Sequence, residues 1–139
     1  MTIPLKKIIC AVDFSVSSDA VVRYAATLHG EGSELVLLHV APEESYSDGM
    51  LRELLHEFSR YSDTLSQHKV KLLFALEYGD AATAILDYAV EHKAEMMILG
   101  SHGKSAIGRL LVGSTAETVM RKAVCPVVIL KTPVNNEKN

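Results

Sequence analysis

Lys7-Ile8-Ile9-Cys10-Ala11-Val12-Asp13 is the stretch on which the fold turns: five apolar residues in unbroken succession, closed by an acid. A strand with one wet face alternates apolar and polar side chains, whereas a strand covered on both faces reads as a continuous apolar run. Leu35-Val36-Leu37-Leu38 repeats the pattern. Working outward from these two, residues 7–12, 34–40, 71–76, 96–99 and 127–130 are read as five short strands. The third, Val70-Lys71-Leu72-Leu73-Phe74-Ala75-Leu76, is the least clean of them.

The intervening segments change period from continuous to helical. Leu51, Leu54, Leu55, Phe58, Tyr61 and Leu65 recur at steps of three and four, which predicts one apolar helix stripe. Residues 17–29 place Val21, Val22, Ala25 and Leu28 on one side, and residues 80–92 do the same with Ala81, Ile85, Leu86 and Ala89 behind a Gly79-Asp80 entry. Ser114-Thr115-Ala116-Glu117 has the form of a capping box opening a fourth helix. Pro126 opens the final strand, where a missing N–H is least costly. Strands alternating with helices imply right-handed crossovers over a parallel sheet. The predicted class is therefore α/β: a Rossmann-like three-layer sandwich, with a five-stranded, mostly parallel sheet and helices on both faces. Residues 1–131 are expected to form one domain and residues 132–139 a polar tail.

Composition narrows the function classes. Of 139 residues, 48% are hydrophobic and 22% charged, with mean hydropathy +0.16, net charge −3 and a pI near 6.0. That charge balance argues against a broad nucleic-acid surface. The first residues carry too short an apolar run for a signal peptide, and no segment approaches the ~18 apolar residues of a membrane span, so no membrane role and a cytoplasmic location are expected. Cys10 and Cys125 lie in or beside apolar runs and read as packing residues rather than as a disulfide or redox pair. The six histidines are scattered, with no Cys or His pairs at zinc-finger spacing, so no protein-held metal is predicted.

In folds of this class, ligands bind outside the carboxyl ends of the strands. The loop after the fourth strand is the most informative: Gly100-Ser101-His102-Gly103-Lys104-Ser105-Ala106-Ile107-Gly108-Arg109-Leu110-Leu111-Val112-Gly113-Ser114-Thr115. Glycines let backbone amides approach an anion, and a helix start supplies free N–H groups at a positive dipole end. Residues 96–116 contain His102, Lys104 and Arg109 but no acid. A locally positive, glycine-rich loop in an acidic chain is what phosphate binding requires. The plainer reading has the glycines shaping a long connection and Ser114 capping a helix. Two familiar motifs are absent. Gly103-Lys104-Ser105 ends like a P-loop, but the required first glycine would fall on Ile98; the dinucleotide glycine fingerprint would follow the first strand, where Asp13-Phe14-Ser15-Val16-Ser17 holds no glycine. Asp13 stands where an acid can accept from a ribose hydroxyl, or equally cap a turn; Ser15, Ser17 and Ser18 read as helix-start residues.

The spacing Gly100-x2-Gly103-x9-Gly113-Ser114 resembles the nucleotide-binding signature of the universal stress protein family. Ile9-Cys10-Ala11-Val12-Asp13, Leu37-Leu38-His39-Val40, Gly79 and Cys125-Pro126-Val127-Val128 resemble that family in the same order along the chain. The resemblance implies ATP or AMP as ligand, held near Ala11, Val12 and Asp13, with Asp13 on the ribose and the backbone of Val40 at the adenine edge. Gly100 and Gly103 would line the ribose and phosphates, and Gly113, Ser114 and Thr115 would hold the phosphate chain; Arg109 and His102 of the same loop are further candidate contacts, His102 reading also as a plain polar loop residue. Mg²⁺ or Mn²⁺ would be bound through the phosphates rather than by the protein. It also implies a homodimer through the last strand, at Val127, Val128, Ile129 and Leu130, whose apolar edge otherwise invites uncontrolled pairing. Two positions depart from the family's pattern. The first loop often reads Asp-Gly-Ser, where this chain has Asp13-Phe14-Ser15, and Ala81 stands where proline often follows the aspartate. Phe14 is expected to pack under the first helix rather than crowd the ligand. The function so implied is that of an adenine-nucleotide-binding stress-response regulator. The alternatives are a slow Mg-dependent ATPase or nucleotidyl-transfer enzyme, and a nucleotide-independent interaction or chaperone-like dimer. No paired carboxylates or water-activating base support hydrolysis, with His102 the nearest candidate.

Overall fold

A computed structural model describes residues 6–28, 32–42, 47–68, 70–101 and 113–131. The strands are β1 (Lys7–Ala11), β2 (Glu34–Ala41), β3 (Lys71–Tyr78), β4 (Met96–Gly100) and β5 (Val127–Leu130). The helices are α1 (Val16–Leu28), α2 (Asp48–Leu65), α3 (Ala81–Glu91) and α4 (Ser114–Lys122), with a short 3₁₀ turn at Ser66–His68. The strands form one sheet in the order β3-β2-β1-β4-β5, and every pairing is parallel. This is the predicted doubly wound α/β sheet. The expected tail at residues 132–139 lies outside the described residues.

The continuous apolar runs are explained by two cores on opposite faces of the sheet. Ile8, Cys10, Leu35, Leu37 and Ile98 face one core, with α1 and α2 above them. Ile9, Val36, Leu38, Met97 and Leu99 face the other, closed by Ile85 and Ala89 of α3 and Val119 of α4. Successive residues of β1, β2 and β4 thus enter different cores, and both must be apolar. Each fully buried large side chain of this kind contributes roughly 1.5–3 kcal/mol of transfer free energy. At the amino end of the sheet, Glu34 on β2 faces its register partners Lys7 on β1 and Lys71 on β3. Lys71 Nζ lies 3.2 Å from Glu34 Oε2, and Lys7 Nζ lies 3.4 Å from Oε1.

The helix stripes follow the predicted period, with one correction in α2. Leu54, Phe58, Tyr61 and Leu65 are buried, but Leu55 is 63% exposed. Leu55 sits one residue from Leu54, about 100° around the helix, so it cannot share the stripe that 54, 58, 61 and 65 define. The Tyr61 hydroxyl, at the buried end of that stripe, donates to Asp19 Oδ1 of α1 at 2.8 Å. Side chains cap α2 and α3: Ser47 accepts from the Met50 N–H at 3.1 Å, and Asp80, at the predicted entry to its helix, from the Thr83 N–H at 3.0 Å. The bonds from Thr83 hold the Asp80 carboxyl below the usual range.

Candidate nucleotide site

The strand order reverses at β1. The chain first builds outward through β2 to β3, then crosses back to place β4 on β1's other side. Connections after β1 and β4 therefore leave in opposite directions, and a crevice opens between them at the carboxyl ends. The structure has a cavity of about 430 Å³ there, within the range of small-molecule sites.

Its first wall is the turn from β1 into α1. Asp13 Oδ1 accepts from the Ser15 N–H at 3.1 Å and from the Ser18 hydroxyl at 2.9 Å, while Ser18 Oγ accepts from the Asp13 N–H at 2.7 Å. Ser15 is the helix cap: its Oγ accepts from the Ser18 N–H at 3.3 Å, and its carbonyl from the Asp19 N–H at 3.2 Å. The carboxylate is thus positioned by the start of α1 and also lines the cavity. Both sequence readings of Asp13, as turn residue and as ligand contact, are compatible with one geometry.

The second wall is the start of α4. Gly113 is the N-cap, with φ −65° and ψ 161°. Its N–H donates to the Ser101 carbonyl at 2.6 Å, and its carbonyl accepts from the Glu117 N–H at 2.9 Å. The ends of the glycine-rich loop are therefore pinned together, and the first turn of α4 borders the cavity through Ser114, Thr115 and Ala116. The N–H groups of such a turn have no intrahelical partner and lie at the positive end of the helix dipole. The capping box expected at Ser114 is not formed. The helix starts at Ser114 itself, so its hydroxyl is one position too late to cap, and Gly113 takes the place without a side chain. The lining between these walls includes an apolar group, Val12, Leu38, Val40, Ile85 and Leu99, beside the polar Ser17 and Ser101.

Of the residues singled out from sequence, Ala11, Val12, Asp13, Val40, Gly100, Gly113, Ser114 and Thr115 come together around this cavity. His102, Gly103 and Arg109 lie outside the described residues. Sequence reasoning missed Ser17, Ser18, Leu38, Ala81, Ile85, Leu99, Ser101 and Ala116 as lining residues. Ser101 was legible as the next residue along β4, whereas Ala81 and Ile85 reach the cavity only because α3 packs beside β2.

Phe14 packs, as expected, against the core that α1 and α2 cover and does not line the candidate cavity. It also lines a second cavity, between the end of β2 and α2. Its ring contacts His39 at 4.8 Å, Phe58 at 5.4 Å and Tyr61 at 6.0 Å between centroids. Both cysteines behave as packing residues, since burial pushes the Cys10 and Cys125 thiols above their ordinary pKa. Among the described residues, no three His, Cys, Asp or Glu side chains converge to hold a metal ion. No helix among them is long and apolar enough to cross a membrane.

Comparison with known proteins places this geometry. Universal stress protein MJ0577 of Methanocaldococcus jannaschii is 25% identical, with 94% of this chain and 98% of that protein covered. Its solved structure superimposes with a TM-score of 0.79. A universal stress protein solved in complex with cAMP has a TM-score of 0.72 at 19% identity, covering 92% of this chain and 98% of that one. A family member from Arabidopsis thaliana solved with AMP bound has a TM-score of 0.68 at 16% identity, covering 94% of each chain. The model of the universal stress protein family matches residues 4–131, nearly the whole chain, and the protein belongs to that family.

Proposed function

We propose that this protein binds an adenine nucleotide, ATP or AMP, in the cavity between β1 and β4, and acts as a cytoplasmic stress-response regulator in homodimeric form. The observation that carries the reading is the pairing of opposite chemistries across one cavity. A carboxylate, Asp13, stands on the β1 side, and the amide-rich start of α4 on the β4 side. A nucleotide has a matching polarity, with ribose hydroxyls that donate to a carboxylate and phosphates that accept from a helix N-terminus. The apolar stretch at Val12, Leu38 and Val40 suits a flat base. The cAMP and AMP complexes of proteins with this fold support the same ligand class.

In this reading Asp13 orients the ribose and the backbone of Val40 faces the base. Gly113, Ser114 and Thr115 meet the phosphates, with Mg²⁺ or Mn²⁺ carried on the phosphates to offset their charge. His102, Gly103 and Arg109 belong to the same phosphate loop by their place in the sequence. Homodimerisation is assigned to β5, the terminal strand of the sheet order, whose Val127, Val128, Ile129 and Leu130 remain only half buried. Regulation follows from linkage: a nucleotide that prefers one conformation shifts its population by the difference in affinity.

The test is thermal unfolding of ligand-stripped protein with ATP, AMP, cyclic AMP and GTP, with and without Mg²⁺, repeated for Gly113→Val. The φ and ψ of Gly113 are open to any residue, so valine adds bulk beside the cavity without forcing the backbone. A ligand at a hundred times its Kd adds ~2.7 kcal/mol, a shift of several degrees for a domain of this size. An adenine-nucleotide shift that is lost in Gly113→Val is expected. Unchanged unfolding of the folded parent with every nucleotide overturns the reading.

A further inference from the structure

Phe14 has φ 64°, in the left-handed region of the backbone map. For a residue carrying a Cβ that region is disfavoured by about tenfold in population, and for glycine it is not. Something must hold Phe14 there. The rings of His39, Phe58 and Tyr61 surround its side chain at 4.8, 5.4 and 6.0 Å.

The consequence lies one residue away. Asp13 lines the nucleotide cavity while Phe14 lines the second cavity, of about 500 Å³; Val40 and His39 divide in the same way at the end of β2. Adjacent residues in the turn after β1 and at the end of β2 thus border different cavities. His39 Nδ1 is hydrogen-bonded to the Val12 carbonyl at 2.9 Å, and the Val12 N–H donates to the Leu38 carbonyl at 2.9 Å. The Phe14 ring thus rests on a side chain that grips the peptide immediately before Asp13. The reversal at Phe14 is also what brings the Ser15 N–H back to Asp13 Oδ1 at 3.1 Å.

We infer that Phe14 is a positioning residue for nucleotide binding: its ring, clamped by His39, Phe58 and Tyr61, holds a left-handed turn and thereby keeps Asp13 at the cavity. This rests on the nucleotide reading above and adds to it. Affinity is set in part from α2, which contributes no described residue to the nucleotide cavity.

Phe14→Ala and Phe14→Gly separate this role from ordinary packing. Both remove the ring and lower Tm. Alanine retains the Cβ that disfavours the turn, whereas glycine removes it as well. Glycine also relieves the left-handed backbone, so Tm can favour it over alanine in either case; a ring that merely packs leaves the two variants with equal nucleotide affinity. The inference expects alanine to bind more weakly than glycine. By calorimetric titration with AMP and with ATP, Phe14→Ala weakens binding about tenfold, while Phe14→Gly stays within about threefold of the parent. The alanine effect disappears in an Asp13→Ala background, because Phe14 acts through Asp13. Without ligand, amide exchange at Ser15 and Ser18 speeds up in Phe14→Ala and not in Phe14→Gly. Should Phe14→Ala not fold, Phe58→Leu loosens the clamp without touching residue 14 and weakens binding about threefold; unchanged affinity there overturns the inference. Equal effects of alanine and glycine overturn it too. A parent that binds no nucleotide, with the exchange order intact, defeats the nucleotide reading and leaves the held turn standing. A parent that binds, with the order absent, defeats the positioning role alone.

Discussion

Replacing Asp13 by asparagine and by alanine divides its two tasks. In the folded chain Asp13 Oδ1 accepts from the Ser15 N–H at 3.1 Å and the Ser18 hydroxyl at 2.9 Å. Asparagine keeps an oxygen in the same place but surrenders the charge. Hydrogen bonds to ionised groups contribute ~1.5–3 kcal/mol net and neutral ones ~0.5–1.5. The turn is partly exposed, so Asp13→Asn is expected to lose about 1 kcal/mol of stability, roughly 3–4 °C in Tm for a chain of this length. Asp13→Ala removes the acceptor altogether and leaves two donors to find water, for a loss of ~2–3 kcal/mol and a correspondingly larger fall in Tm. Nucleotide affinity obeys a different logic. A ribose hydroxyl donating to the carboxylate loses its charge-assisted partner in both variants, so even the better-folded Asp13→Asn binds AMP and ATP about tenfold more weakly. Differential scanning fluorimetry without ligand and calorimetric titration with ligand read the two effects separately. Parent-like affinity in Asp13→Asn, alongside the lowered Tm, refutes the ribose assignment and leaves Asp13 as a turn residue.

Two further predictions concern the ends of the sheet. Lys71, and then Lys7, hold the Glu34 carboxyl below its ordinary pKa, so its contribution is complete above the unfolded value of about 4.3 and is lost as pH falls through the folded value. Glu34→Gln is expected to unfold more easily than the parent by ~0.5–1 kcal/mol at neutral pH, with the gap closing under acid; urea titrations showing the same gap at both ends of the pH range contradict the assignment. At the β5 edge, Ile129→Lys sets a charge on the strand assigned to the proposed dimer and is expected to make a dimeric parent monomeric in sedimentation equilibrium, whereas a monomeric parent overturns the dimer and dimers that persist in the variant move the interface away from β5.

Periodicity is a local property, and most of the architecture was readable from it. The unbroken apolar runs at residues 8–12 and 35–38 announced strands buried on both faces, and the two cores on either side of the sheet are what those runs pack against. Spacing also marked Asp13 and Gly113, because each stands at the carboxyl end of a strand or the start of a helix, and the fold makes those places a crevice. Leu55 misled because an apolar residue beside a stripe looks like a member of it until the helix is set against its neighbours.

By itself, then, the sequence determined the alternation of strands and helices, the double covering of the sheet, and the loops at which a ligand could sit. These follow from side-chain polarity read at periods of two and 3.6 residues, and from where glycine and acid interrupt them. Tertiary structure alone decided what residues distant in the chain do to one another. It put α3 beside β2 so that Ala81 and Ile85 reached the cavity, and it chose Gly113 over Ser114 as the cap of α4. It brought Lys7 and Lys71 to Glu34 through strand register. It also turned Phe14 away from the candidate cavity, because the stabilisation available among His39, Phe58 and Tyr61 outweighs a backbone preference that is all the local sequence can express.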